Sequence, residues 1–559
     1  MPSLLEALPL DIVLHCAILS GSTSTFEPPT AISRLSQTSS ALHNALDTRI
    51  SPNVYGQVFS SKFDKAALYR RSGFLTTDSA LAFDLQSRYQ LLRRVKTMGL
   101  SPTNLVEDLW TALWMFLESD GLNERQLQRA DFASFMLTVA KFHLGSPDSS
   151  EETGVGSFSF HSLVVWLLAF TLSRQVILML SAQDRDQLYG LIFPYILWSN
   201  KAVSPLATCR ECSRARYGCV CPEPVIQGLE DESASRTKTS LLRCLSYRGQ
   251  LRNIPHPSLA AINIACAIME TTLMRVPPHF PENRAIANAA QLHGPTQEDY
   301  RAWASYRTSL FADSVPNEPS VDGPLQSDNS LESSWTRSML HELEFRDLLQ
   351  SIPLGNTNTG IKYIPGSLTG VWEGTYRRLP LPSSVMQTTD VDINPAFSKP
   401  IQCSLTEYIN IMNEQSLSRH AHALNNISVS DFFLSHDSSE LSVRGGSKYR
   451  KLVKLDTIHP VDARDNTFFN VMLHGETLNA HDTAWGGFKF WGGVYEDGRI
   501  VLKRSAKNDG DQGSWIFEGR LKFGTAFLGR WRVSGEPTNV GVDHGVFSMG
   551  NHGANWKRE

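Results

Sequence analysis

Four cysteines carry the most explicit chemistry in this 559-residue sequence, because they lie close together in one polar stretch. Cys209 and Cys212 form a CxxC pair, and Cys219 and Cys221 follow as CxC. Four thiolates are a ligand set for structural zinc, and CxxC is the spacing of one zinc knuckle, whereas CxC is unusually tight. Two interpretations stay open: a zinc site, which would also allow a zinc-dependent activity, and four reduced cysteines in a loop.

Two histidine motifs offer weaker chemistry. His420 and His422 are two residues apart, with no third ligand at a diagnostic spacing, so we expect a pair that is either solvated or hydrogen-bonded within the protein. His481 and Asp482 resemble part of a catalytic dyad, but neighbouring side chains on a strand point to opposite faces, which favours a turn capped by Asp482. The sequence contains no nucleotide-binding, serine-hydrolase, zinc-protease or kinase motif. We therefore expect a protein without catalytic activity.

Composition limits the partners and the compartment. Lys and Arg number 52 against 56 Asp and Glu, a formal net charge of −4, so we expect neither nucleic acid nor membrane as a partner. Eight cysteines are too few for a disulfide-stapled scaffold. The N-terminus lacks a basic region before its apolar residues, and the run 162–173 is too short to span a bilayer. We expect a cytoplasmic or nuclear protein that is not secreted.

The first fifty residues have the pattern of a small helical unit. Pro9 stands where a helix would begin, and the apolar residues Ile12, Cys16 and Leu19 recur every three or four positions. A Gly, Ser, Thr and Pro-rich loop separates this helix from a second predicted helix. The apolar stripe of that second helix is Ile32, Leu35, Ser39, Leu42 and Leu46.

Farther along, the pattern changes from helices to strands. Residues 51–310 have helical periodicity, interrupted by the irregular cysteine-containing loop 205–240. Residues 311–335 are rich in Pro, Ser, Asp and Gly and have the composition of a flexible linker. From residue 336 to 559 the chain becomes β-rich, with period-two alternation in GVWEGTY and in the last hundred residues. The sequence thus predicts an α+β multidomain protein.

The C-terminal strands have the features of a curved antiparallel sheet. Asp497-Gly498 lies between GGVYE and RIVLK, a dipeptide typical of hairpin turns. Consecutive strands with short turns predict a meander that closes into a barrel or half-barrel, with glycines opposite aromatic residues where the sheet bends. The aromatic side chains then either fill the barrel or line a ligand-binding mouth.

The N-terminal segments LPLDIVLHCAIL and ISRLSQTSSALHNAL resemble the F-box. The family's Leu-Pro opening matches Leu8 and Pro9, its amphipathic first helix matches Ile12, and a later helix matches Leu35. This resemblance implies that the segment binds a Skp-family adaptor and, through it, a cullin scaffold of a ubiquitin ligase.

A second resemblance extends over most of the chain. NAHDTAWGGFKFWGGVYEDGRIVLKR, GSWIFEGRLKFGTAFLGRWRV, GVWEGTY and VPPHFPENRAIANAAQLHGPTQEDYRAW look like F-box proteins of mushroom-forming fungi. GVWEGTY and the later strands are also similar to the β-barrel of the animal F-box receptor that recognises cyclin D. The resemblance implies an F-box substrate receptor that recruits an unknown protein target for ubiquitination.

Two functions follow for the β domain. In the first, it binds the target of the ligase; in the second, it is a barrel that binds a small apolar ligand, and the F-box-like N-terminus binds nothing. For adaptor binding we select Leu8, Pro9, Ile12 and Leu35, since such an interface needs exposed apolar side chains. The substrate-binding candidates are the aromatic residues Trp372, Tyr376, Trp485, Phe490, Trp491 and Trp531.

Overall fold

A computed structural model gives the fold of the chain. It describes residues 8–72, 77–100, 102–144, 156–172, 174–202, 245–247, 250–252, 257–270, 276, 278–310, 363, 365–379, 398–412, 432–435, 438–443, 448–452, 468–495, 498–507, 514–522, 526–533 and 544–551. The chain divides into two compact units. The first combines residues 1–172, 230–255 and 315–351, and the second combines 173–229, 256–314 and 352–559.

Helices make up most of the described part of the first unit. They are α1 (Leu10–Ser22), α2 (Thr30–Ser36), α3 (Ser40–Ala45), α4 (Pro52–Lys62), α5 (Lys65–Ser72), α6 (Asp78–Lys96), α7 (Pro102–Leu117), α8 (Leu122–Arg129), α9 (Phe132–His143) and α10 (Gly156–Thr171). A short hairpin, β1 (Leu245–Tyr247) with β2 (Gln250–Arg252), belongs to the same unit. The predicted helical N-terminus is therefore confirmed.

The second predicted helix is in fact two helices. The break lies at Ser39, whose backbone is extended and whose Oγ accepts a hydrogen bond of 3.2 Å from the backbone N–H of Leu42, which caps α3. Ile32, Leu42 and Leu46 are all buried, so the apolar stripe still forms an inner face. The stripe's spacing was informative, but the capping preference of serine determines where the helix begins.

A buried polar network lies within the first unit. The guanidinium of Arg88 on α6 donates to Glu118 Oε2 at 2.7 Å and to Asn123 Oδ1 at 3.1 Å. The backbone N–H of Asn123 donates to Asp64 Oδ2 at 2.9 Å. Burial raises the pKa of the Asp64 carboxyl, while this hydrogen bond opposes the rise. The network ties the beginnings of α5 and α8 to α6.

The second unit contains further helices. They are α11 (Arg174–Met179), α12 (Ala182–Ala202), α13 (Ser258–Glu270), α14 (Arg284–Ala289), α15 (Gln297–Leu310) and the short α16 (Asn479–Trp485). None of the helices within the described ranges has both the length and the apolar run that crossing a membrane requires. α13 packs against α12 and against two strands of the sheet, so it is buried on several sides.

The strands of the second unit follow in chain order. They are β3 (Gly370–Arg378), β4 (Ser398–Met412), β5 (Phe432–Leu434), β6 (Glu440–Val443), β7 (Lys448–Lys451), β8 (Phe468–Glu476), β9 (Phe488–Val494), β10 (Ile500–Ala506), β11 (Trp515–Lys522), β12 (Ala526–Val533) and β13 (His544–Asn551).

Eight of these strands form a closed antiparallel β-barrel, which confirms the predicted α+β architecture. Their order around the barrel is β3, β13, β12, β11, β10, β9, β8 and β4, and β4 returns to pair with β3. Trp372 lies opposite Cys403 in the pair that closes the barrel. Beyond the residues of β4 that pair with β3, Tyr408 and Ile409 pair with β7, which begins a small β5–β6–β7 extension.

The period-two alternation sorts side chains between the barrel interior and its outer face. The interior contains a continuous apolar core to which all eight strands contribute, including the fully buried Trp372, Phe517 and Phe527. On the outer face of β3, Arg377 Nη1 donates to the carbonyl oxygen of Met269 on α13 at 2.8 Å. β3 is therefore buried on both faces.

A glycine allows the strands of this barrel to approach closely. A Cβ at Gly374 would overlap the carbonyl oxygen of Ser548 on the neighbouring strand β13. The residue faces the interior between Trp372 and Tyr376, so its missing side chain also leaves room for their rings. Gly374 itself lies opposite Met549 and Ile401, whereas the predicted pairing of glycines with aromatic residues is found at Gly529, opposite Phe547, and at Gly545, opposite Trp531.

The hairpin β9–β10 is also confirmed. The N–H of Gly498 donates to the carbonyl oxygen of Tyr495 at 2.9 Å, and Gly498 has a φ of 77°, while Asp497, the other residue of the predicted turn dipeptide, lies outside the described residues. The predicted turn at His481 and Asp482 is wrong: both residues lie in helix α16. The Asp482 carboxylate accepts a hydrogen bond from Lys507 Nζ at 3.2 Å.

Candidate functional site

Two surfaces of the described residues have features that the fold alone does not require. The first is the outer face of α1. Leu8 just before the helix is 44% exposed, and Ile12 and Leu19 on the helix are 45% and 57% exposed. Val13 and Ala17 on the opposite face are buried. α1 therefore presents apolar side chains to solvent and also packs an apolar inner face against α2 and α4.

The four residues selected for adaptor binding differ in their exposure. Leu8, Pro9 and Ile12 are exposed, and Leu35 on α2 is half-buried. We name the exposed row Leu8, Ile12 and Leu19 the α1 apolar stripe. Ile12 and Leu19 are seven positions apart and so lie on the same side of the helix, and Leu8 lies just before its first residue.

The second surface is one end of the barrel, the end at which β9 and β11 begin and β10 finishes. We call it the Arg504 mouth. Arg504 lies on β10, opposite Phe490 on one side and Trp515 on the other. It follows Ile500 and Leu502 on the inward-facing side of the strand, and it is only 2% exposed. The chain thus places a guanidinium group on the apolar side of a strand.

Four aromatic rings surround the Arg504 guanidinium. Its Cζ lies 3.7 Å from the ring centroid of Trp515, 4.1 Å from that of Phe488 and 4.8 Å from that of Tyr376. The ring of Phe517 is 5.5 Å away. These distances are typical of cation–π contacts, which offset part of the cost of burying the charge.

The hydrogen bonding of Arg504 is incomplete within the described residues. Nη2 donates to the hydroxyl oxygen of Tyr376 at 3.3 Å, and Nε is buried without an acceptor. Burial lowers the pKa of the guanidinium, and Tyr376 opposes this effect. Arginine offers five N–H donors, so this group is under-satisfied in a site with little access to water.

The charged residues on the inner side of the barrel are segregated between its two ends. Arg378 and Lys399 occupy inward-facing positions at the Arg504 mouth, and both are exposed. Within the eight described barrel strands, Glu407 is the only acidic residue in this inward-facing register, and it lies at the opposite end. There the N–H groups of the segment before β3 donate to its carboxylate.

The structure brings together four of the six aromatic residues selected for substrate binding. Trp372, Tyr376, Phe490 and Trp531 all contribute to the barrel interior. The indole N–H of Trp372 donates to Leu368 O at 2.7 Å, and that of Trp531 donates to Arg377 O at 2.9 Å. These two indole N–H groups are therefore used within the protein, and Tyr376 is the selected residue that contacts Arg504.

The other two selected residues lie outside the interior. Trp491 belongs to a second apolar cluster on the outer face, beneath the β5–β6–β7 extension, and its ring centroid is 4.1 Å from that of His474. Trp485 lies on α16, where it makes edge-to-face contacts with Tyr300 and Trp303 of α15. α15 and α16 therefore pack against one another through these rings.

Sequence reasoning did not select Arg504, Trp515 or Lys399. The sequence IVLKRSA contains a signal for Arg504. Ile500 and Leu502 alternate with polar residues and mark the apolar face of the strand, and Arg504 is the next residue on that face. An arginine on the apolar phase of a strand is unusual, because charged residues are rarely fully buried unless they are paired.

Metal binding has no support among the described residues, where no group of three or more His, Cys, Asp or Glu side chains could hold an ion. The candidate zinc ligands Cys209, Cys212, Cys219 and Cys221 lie outside the described residues. Zinc binding by these cysteines stays a prediction.

Comparison with protein-family models, curated proteins and solved structures found no match to this chain.

Proposed function

We propose that this protein is an F-box substrate receptor. Its N-terminal helices bind a Skp-family adaptor, which joins it to a cullin scaffold, and its β-barrel binds a protein target for ubiquitination. The receptor itself performs no bond chemistry. Its contribution to ubiquitin transfer is proximity, because it holds the target's lysines near the charged conjugating enzyme.

The observation that supports this proposal is the α1 apolar stripe. Leu8, Ile12 and Leu19 are 44–57% exposed, although α1 already has an inner face with buried Val13 and Ala17. A helix that only packed its own unit would need one apolar face, and a second face exposes hydrophobic area to water. Burial against a partner removes that area and yields about 25 cal/mol per Å².

The packing of the barrel bears on the choice between a protein target and a small apolar ligand. Side chains from all eight strands fill the described interior, and Trp372, Phe517 and Phe527 in it are fully buried. A small apolar ligand would have to displace these side chains, which costs packing energy. The filled interior therefore favours recognition at an end of the barrel, where a segment of a protein target can reach inward-facing residues.

Co-expression of the full chain with a Skp-family adaptor tests adaptor binding. We expect the wild-type chain to co-purify with the adaptor and Ile12→Asp to bind it at least tenfold more weakly, because the charge would be buried in the interface. Phe83→Asp is the matched control, since Phe83 is 70% exposed on α6 of the same unit and outside the α1 apolar stripe. It should bind as the wild type does.

Two results would contradict the proposal. One is failure of the folded wild-type chain to co-purify with the adaptor. The other is an equal loss of binding in Ile12→Asp and Phe83→Asp, which would show that exposed apolar residues in general, and not the α1 stripe, hold the adaptor.

A further inference from the structure

We propose that the Arg504 mouth recognises a carboxylate of the target protein and that Arg504 is the residue that binds it. This inference rests on the proposed function, because it names the chemical group by which the barrel would select its target. The carboxylate would come either from an acidic side chain or from a chain terminus, and both present the same planar anion.

The incomplete hydrogen bonding of Arg504 is the first reason. A buried cation is normally paired with an anion, whereas Arg504 contacts four aromatic rings and one hydroxyl group within the described residues. Its Nε carries a buried N–H without an acceptor. The planar guanidinium presents paired N–H groups that match the two oxygens of a carboxylate, so this anion would satisfy the donor that the barrel leaves unpaired.

The charge distribution inside the barrel is the second, independent reason. Arg378 and Lys399 stand on inward-facing positions at the same end as Arg504. The one acidic residue in the inward-facing register of the described barrel strands, Glu407, is at the other end and accepts backbone hydrogen bonds there. Within the inward-facing register, an anion that approaches the Arg504 mouth therefore meets positive charge first at the exposed residues and then at the buried one.

Among the four rings around Arg504, that of Trp515 is nearest to the guanidinium. Trp515 is the first residue of β11, it is half-buried, and its ring covers the guanidinium at 3.7 Å. The Trp515 ring also contacts the rings of Tyr376 and Phe488, at centroid distances of 6.2 Å each, so a carboxylate that reaches the guanidinium from this side would displace those contacts.

Ligand-observed saturation-transfer NMR on the full chain tests the site with three defined probes. N-acetylglycine supplies a terminal carboxylate, N-acetylglutamate amide supplies a side-chain carboxylate, and N-acetylglutamine amide is the uncharged control. We expect at least one carboxylate probe to give a signal at least tenfold stronger than the glutamine probe, and its identity distinguishes the two sources. Arg504→Met should abolish that signal.

Lys503→Met is the matched control, because Lys503 is the preceding residue of β10 and faces the opposite side of the strand. It should bind the probes as the wild type does. The Arg504→Met variant should still co-purify with the adaptor. Its midpoint of thermal unfolding should not fall below that of the wild type, because Met fills the space between the aromatic rings without a buried charge. If the wild-type chain fails to bind the adaptor but still binds the carboxylate probes through Arg504, the proposed function is overturned and the carboxylate site stands.

Three outcomes would overturn the carboxylate site. The first is equal signals from all three probes. The second is a lower unfolding midpoint for Arg504→Met with no difference in probe binding, which would make the guanidinium a structural element. The third concerns Asp509 and Asp511, which lie between β10 and β11 outside the described residues. If the probes bind only after both are changed to Asn, the chain itself supplies the carboxylate.

Discussion

The guanidinium of Arg504 lies against the indole of Trp515, with its Cζ 3.7 Å from the ring centroid. The contact places a buried charge against the apolar core of the barrel. Cation–π contacts are worth about 0.5–2 kcal/mol each, so the four rings together offset part of the several kcal/mol that burial of an unpaired charge costs. An anion that paired with the guanidinium would add to this stabilisation.

Tyr376→Phe should destabilise the barrel by about 1–2 kcal/mol, because it removes the hydroxyl oxygen that accepts from Arg504 Nη2. Urea unfolding of the purified chain, followed by tryptophan fluorescence, measures the change. The control is a double-mutant cycle: in an Arg504→Met background the same substitution should cost much less, since no buried donor is left unpaired. An equal cost in both backgrounds would show that the hydroxyl group stabilises the barrel by another contact.

The sequence predicted the barrel because its strands have a strict period-two pattern. Phe527, Gly529 and Trp531 alternate with Leu528 and Arg530, and the structure places the first set inside. The hairpin β9–β10 followed in the same way from a turn dipeptide. Such patterns record the two faces of a strand directly, so no tertiary information was needed.

Other features depend on contacts that periodicity does not encode. Trp491 is of a residue type that often fills a barrel interior. It nevertheless lies on the outer face, where the β5–β6–β7 extension covers it with a second apolar cluster. His481 and Asp482 lie on a short helix between two strands, where the local sequence suggested a turn. The closing pair between β3 and β4 also joins strands that no short turn connects.

Glu118→Gln should destabilise the first unit by about 3–5 kcal/mol, because it leaves the buried guanidinium of Arg88 without its carboxylate. Hydrogen exchange of the amides in α6 and α7 measures this in the full chain. Asp120→Asn is the matched control, since its partner Arg70 is 35% exposed and such a pair contributes at most about 1 kcal/mol. Equal increases in exchange for the two variants would contradict the prediction.

The zinc interpretation of the cysteine cluster, one of the two that the sequence leaves open, implies one zinc ion per chain. Elemental analysis of protein purified without added metal should give equimolar zinc, and Cys209→Ser should lose it because a tetrahedral site needs all four thiolates. Cys16→Ser is the control, since Cys16 is a free, exposed cysteine on α1. A wild-type chain without zinc would support the alternative of four reduced loop cysteines.

Glu407 predicts a pH-dependent contribution to the stability of the barrel. Its carboxylate accepts N–H hydrogen bonds from Gly366 and Leu368, each at 2.6 Å, and from Thr369 at 3.0 Å. Burial nevertheless raises the pKa of the Glu407 carboxyl, and the hydrogen bonds only oppose the rise. The protonated form is thus the one that folding favours.

A raised pKa in the folded state means that the contribution of Glu407 is complete below its unfolded pKa and is lost as the pH rises through the folded pKa. Glu407→Gln cannot titrate, and its amide NH₂ would face the N–H of Gly366, so at acidic pH it should be about 1–3 kcal/mol less stable than the wild type. That difference should shrink as the pH increases above the ordinary carboxyl range. Urea unfolding at a series of pH values measures it, with Glu476→Gln as the control because the Glu476 side chain is 43% exposed. A difference that stays constant or grows with pH would show that the backbone hydrogen bonds, rather than burial, set the pKa of Glu407.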